Sequence, residues 1–159
     1  MKKESLYRIG TNVEITARGI DGKILDVTNI HNAIMNVGFN MLRDIFMGDV
    51  ADGEIKYVAL GSDDTAVAVA QTILITEEER KALTTSPVSG GVGSCISTVY
   101  FGPAEAVGFT IKEVGWFSGA AAGAGADSGI MISRVLYTRT KTVLESLQVK
   151  RTDTFSEVT

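Results

Sequence analysis

Apolar residues occupy every second position at Val13, Ile15 and Ala17, the period of a strand with one buried face. Gly19-Ile20-Asp21-Gly22 supplies turn chemistry, and Lys23 to Val27 resumes the extended pattern, so a hairpin is predicted. From Asn36 to about Met47 the period changes: Val37, Phe39, Met41, Leu42, Ile45 and Phe46 recur at helical spacing, with Asn36 as the cap and Gly48 as the stop. The helix is expected to pack on a sheet through Phe39, Leu42 and Phe46. Ile55 to Leu60 reads as a buried strand closed by Gly61-Ser62-Asp63-Asp64-Thr65.

Thr76 and Glu79 have the spacing of a capping box, which predicts a second, short helix to about Leu83. Thr84 to Gly93, with Pro87, reads as a loop or edge connection. Strands follow at Ser94 to Phe101, Thr110 to Phe117, Ile130 to Tyr137 and Val143 to Phe155, and Gly115 marks a bulge or a close backbone approach. Between them Gly119 to Gly129 is almost wholly Gly and Ala, as in a flexible hairpin tip. About seven strands with one packed helix, and a second short helix as a candidate, make a mainly-β chain, a β-sandwich carrying a helix. A single domain over residues 1–159 is expected, with residues 1–10 as an N-terminal arm.

Val99-Tyr100-Phe101 and Val135-Leu136-Tyr137 put apolar groups on both sides of a sheet, and a chain of this length has one core to hide them in. The second face is therefore expected to meet another subunit, with a trimer as the favoured oligomer. Val99, Tyr100, Trp116, Phe117, Val135 and Tyr137 are the interface candidates. Arg151 and Asp153 join them: both interrupt the apolar parity of Leu147, Val149 and Phe155, and two charges in a sealed core are costly unless paired. They are expected at an interface, paired across it or with one another, or else solvated where the strand leaves the core.

Composition narrows the chemistry. With 45% hydrophobic and 21% charged residues the chain should fold, and a net charge of -4 gives no electrostatic reason to bind nucleic acid. No apolar run of signal-peptide or bilayer-spanning length occurs, so synthesis in the cytosol without membrane insertion is expected. The lone Cys95 has no disulfide partner within the chain, and the lone His31 removes most zinc, triad and proton-relay arrangements. Asp63-Asp64 lacks the further local donors that Ca²⁺ requires. Glu77-Glu78-Glu79 beside Arg80-Lys81 reads as a solvated helix start. The Ala/Gly stretch lacks the Lys-Ser, Lys-Thr or dinucleotide-type spacing of a phosphate cradle. Neither cofactor nor metal is expected, and the chain is not expected to be an enzyme.

Several motifs recur in a fixed order: Asn36-Val37-Gly38-Phe39-Asn40-Met41-Leu42, then Tyr57-Val58-Ala59-Leu60-Gly61-Ser62, then the spaced trio Leu74, Glu77 and Arg80. Ile111-Lys112-Glu113-Val114-Gly115-Trp116-Phe117 follows, then Ser133-Arg134-Val135, and Lys141 before Leu147-Gln148-Val149. From about Asn32 to Phe155 this order resembles small tailed-bacteriophage virion proteins of the tail-fibre, collar or baseplate-associated type. The chain departs from that pattern at Trp116, where the family has Leu, and at Arg151 and Asp153. The resemblance implies a structural component assembled with itself and with other virion proteins, located in the virion after assembly in the host cytoplasm. Capsid decoration is its near variant. The alternative class is a module binding a host-surface glycan or protein through Trp116, Tyr100 and the loop from Gly119 to Gly129, since an exposed aromatic pair stacks on sugar rings.

Overall fold

The computed structural model describes residues 6–158. Ten strands and one helix follow in the order β1 (Leu6–Gly19), β2 (Ile24–His31), β3 (Ala33–Ile34), α1 (Asn36–Met47), β4 (Ile55–Gly61), β5 (Glu77–Ala82), β6 (Thr85–Gly91), β7 (Ser94–Phe101), β8 (Thr110–Ser118), β9 (Ile130–Thr140) and β10 (Glu145–Val158). Two five-stranded antiparallel sheets form, ordered β2-β1-β10-β7-β6 and β3-β9-β8-β4-β5. The chain changes sheet at Asn32, between β2 and β3. It changes back after β5, where Leu83 N–H donates to Lys56 O and Thr84 N–H to Thr98 O. Both long sides of the sandwich are thereby bridged by continuous chain.

Alternation fills the space between the sheets. Val13, Ile15 and Ala17 of β1, Val99 and Phe101 of β7, Val114 and Trp116 of β8, Val135 and Tyr137 of β9, and Leu147 and Val149 of β10 form one cluster. The outer face of the second sheet is apolar too, and the chain covers it with its own segment 62–76. Met35, Ala59, Leu74, Phe117 and Met131 pack there as a second cluster. A fully buried ion pair fixes that strap: Arg134 Nε donates to Glu113 Oε2 at 2.6 Å, and Nη1 to Thr65 O at 2.9 Å. Glu113 in turn accepts the N–H groups of Ile75 and Thr76 at 3.2 and 2.9 Å. On the two-sided strands the inward faces are buried, while Tyr100 of β7 and Leu136 of β9 stay exposed on the outer faces. Val99, Trp116, Phe117, Val135 and Tyr137, expected at a subunit contact, lie inside, and only Tyr100 of that set is exposed.

Three predicted elements differ. Glu77 to Ala82 is the edge strand β5, not a short helix. The open edge of β4 offers unpaired backbone groups, and pairing them outweighs a local cap signal. Each carboxylate of the Glu run is engaged: Glu77 with Arg80, Glu78 by Ser62 Oγ, and Glu79 by the N–H of Ala106. Thr84 to Gly93 contains the edge strand β6, with shifts in register around Pro87, the position at which a ladder donor is missing. Strand β1 already begins at Leu6, inside the expected arm, whose first five residues lie outside the described ones.

The loop from Gly119 to Gly129 is tied down and is no free tip. Arg80 stacks on Phe117 with 3.9 Å to the ring centroid, pairs with Glu77, and donates from Nη1 to Ser128 O at 2.6 Å. Ser128 Oγ donates to Gly125 O at 2.6 Å and accepts the Gly123 N–H at 3.0 Å, closing the loop on itself. Gly119 and Gly129 at its base take φ of 89° and 85°, which favours glycine there.

Candidate docking groove beside the helix

Helix α1 carries two apolar stripes at helical spacing, one through Gly38, Met41 and Ile45 and the other through Phe39, Leu42 and Phe46. Packing selects the first. Gly38 lets the helix approach β9 so closely that a Cβ there would lie 2.7 Å from Ile132 O, and Met41 is buried beside it. The expected contact through Phe39, Leu42 and Phe46 is thus one stripe out of phase: Phe46 is 88% exposed, Phe39 49%, and Leu42 is half-buried. The helix start differs as well, because Met35 occupies the cap position and no side chain caps the first turn. Gly48 ends the helix as predicted, in the left-handed conformation with φ of 80°.

The unused stripe faces the ends of β1 and β10 across an open groove of about 400 Å³, with Ile9, Phe39, Leu42, Phe46 and Phe155 as walls and Arg8 and Glu157 at the rim. Behind it a cavity of about 270 Å³ runs between the helix and the sandwich, bounded by Ile34, Met41, Ile45, Ile55 and Ile132 and reaching Cys95, Arg151 and Asp153. Ile9, Leu42 and Phe155 line both spaces.

The two charges at the cavity are paired with each other. Residues two apart on β10 share a face, and Arg151 donates to Asp153 through Nε at 2.8 Å and Nη2 at 2.7 Å. Its Nη1 donates to Ser133 Oγ, and Thr11 Oγ1 donates to Asp153 Oδ1 at 2.7 Å. The Arg151 guanidinium also lies 5.6 Å from the Trp116 ring centroid. Every nitrogen of the guanidinium and both carboxylate oxygens therefore have partners inside the chain, so the pair is a neutralised wall. Cys95 borders the same cavity, and burial, reinforced by the Asp153 charge, pushes its thiol above the ordinary range. The groove offers apolar contact and no convergent set of groups poised for proton transfer.

The other candidate positions are occupied by local structure. Asp63 Oδ1 accepts the Thr65 N–H at 2.7 Å, which with the Thr65 side chain holds its carboxyl below the usual range, and Asp64 pairs with Lys112 at 3.0 Å. Among the described residues no three His, Cys, Asp or Glu side chains are grouped to hold a metal ion, and no helix is long and apolar enough to cross a membrane. His31 is exposed at the end of β2. Trp116 is fully buried, so it presents no face to a sugar. The residues behind the phage resemblance cluster as internal fasteners: Leu74 and Arg80 pack on Phe117, Glu113 pairs with Arg134, Ser133 meets Arg151, and Lys141 Nζ donates to Pro103 O at 3.0 Å.

The groove itself escaped the sequence reading. Its signal was an excess, since α1 carries more apolar residues than one buried stripe uses, and that surplus is left exposed. No protein-family model, curated protein or solved structure matches this chain.

Proposed function

We propose that this chain is a structural component of a tailed-phage virion, an oligomeric tail-fibre, collar or baseplate adaptor that works by docking with further copies and with neighbouring virion proteins. The observation that carries the assembly role is the groove walled by Phe39, Phe46 and Phe155. A chain that covers the outer face of its second sheet with its own strap, yet leaves three aromatic rings open beside an aliphatic cavity, keeps that surface for a protein partner. Placement on a phage particle rests on the order of sequence motifs. Capsid decoration would use the same groove at another location.

The trimer expected from the two-sided strands rests on Tyr100 and Leu136, whose side chains are exposed on the outer faces of β7 and β9. Immunogold labelling of tailed particles from an infected culture tests the placement. Gold at the tail, neck or baseplate is the expected result, gold over the head selects decoration, and label confined to the unassembled soluble fraction contradicts a virion role.

A further inference from the structure

The cavity behind the groove is larger than packing alone explains. Protein interiors pack like organic crystals and leave few spaces bigger than a water molecule, whereas this one measures about 270 Å³. Ile34, Ile55 and Ile132 of the second sheet and Met41 and Ile45 of the helix form its apolar walls. Two close contacts hold the helix at its distance. Gly38 lies against the Ile132 backbone, and Gly53 leaves no room for a Cβ against Ile45. Ser118 Oγ donates to Gly53 O at 2.8 Å and fixes that second contact to β8. Closing the space would break both.

Water is a poor occupant here. An ordered water requires about two to four polar partners, and Arg151 and Asp153 are already engaged with each other, with Ser133 and with Thr11. The Cys95 thiol is a weak hydrogen-bonding group, and Glu54 is exposed at the edge of the cavity. An ion would likewise find no free buried partner to offset its lost hydration.

We propose that the cavity is a binding site for an uncharged, apolar small molecule of roughly ten carbon atoms, by comparison with the roughly 150 Å³ apolar cavity that takes benzene. The molecule enters from the groove side, where Ile9, Leu42 and Phe155 line both spaces. The site does not rest on the assembly reading: it needs one chain only, and either can fail alone.

Naphthalene, with its anionic and cationic counterparts naphthoate and naphthylmethylammonium, tests this on the purified wild-type chain. Thermal melting and the alkylation rate of Cys95, followed at one fixed protein concentration, report occupancy. Naphthalene should raise the melting temperature and slow alkylation saturably, and each charged counterpart should bind at least about tenfold more weakly. Ile34→Phe fills the cavity from β3 and should weaken naphthalene binding at least about tenfold, with Ile55→Phe as second choice should it fail to fold. No response to naphthalene up to its solubility limit overturns the site. So does equal binding of a charged counterpart, which would mean an open polar surface. Undiminished binding by a folded cavity-filling variant also overturns it, since the molecule would then sit elsewhere.

Discussion

Arg151 and Asp153 show how a residue pair that violates the parity of its strand is accommodated. The interruption of Leu147, Val149 and Phe155 was readable, and mutual pairing was among the expected solutions. What the sequence leaves out is Thr11 and Ser133, brought in from β1 and β9 to complete the set of donors. Removing one partner of a buried pair strands the other charge, so Asp153→Ala should cost about 3–5 kcal/mol in denaturant unfolding. The double change Arg151→Met with Asp153→Leu should recover most of that. A cost for Asp153→Ala below about 0.5 kcal/mol would mean that the pair is solvated.

Glu105 gives a pH-dependent prediction. The hydrogen bond from Lys81, helped by the N–H of Gly102, holds its carboxyl below the usual range. Its folded-state pKa is thus lower than its unfolded one, so the stabilisation is complete above the ordinary carboxylate range and disappears as pH falls through the lowered value. Thermal melting of wild type and Glu105→Gln should differ at neutral pH and converge in strong acid. A constant difference at all pH values would remove the carboxylate from the account.

Among the elements, α1 was legible in its extent and illegible in its phase. Periodicity fixes which residues share a stripe, but two stripes satisfied it, and the choice fell to Gly38, the one position at which the backbone of β9 comes close enough to exclude a side chain. Met41→Ala should therefore cost about 2–5 kcal/mol by leaving a cavity, and Gly38→Ala about 1–3 kcal/mol by overpacking against Ile132. Phe46→Ala should change stability by less than about 0.5 kcal/mol, because its ring is already in solvent. Equal losses at Met41 and Phe46 in denaturant unfolding would reverse the phase.

β5 was misread for a related reason: a capping-box spacing is local, and the free edge of β4 that claims Glu77 to Ala82 is not. The Ala/Gly loop was located by composition, whereas its fastening depends on Arg80, far away in the chain. Arg80→Ala should speed amide hydrogen exchange from Gly119 to Gly129 at least about tenfold relative to the rest of the sheet, and exchange as slow as wild type would show that Arg80 does not hold the loop.

For the whole molecule, strands apolar on both sides suggested a missing subunit; segment 62–76 of the same chain covers part of the outer face of the second sheet, while Tyr100 of β7 and Leu136 of β9 stay exposed. No periodicity announces such a strap, since it is irregular and anchored by Glu113 and Arg134. Phe39, Phe46 and Phe155 remain exposed at the groove beside α1, the surface on which assembly is proposed. Its most direct test is sedimentation equilibrium of the purified wild-type chain from low to high micromolar concentration, with alkylation of Cys95 followed in the same samples. The mass should rise with concentration beyond the monomer, and alkylation should slow as the groove in front of the cavity that Cys95 borders is covered. A monomer mass across the whole range, with an alkylation rate independent of concentration, would contradict assembly.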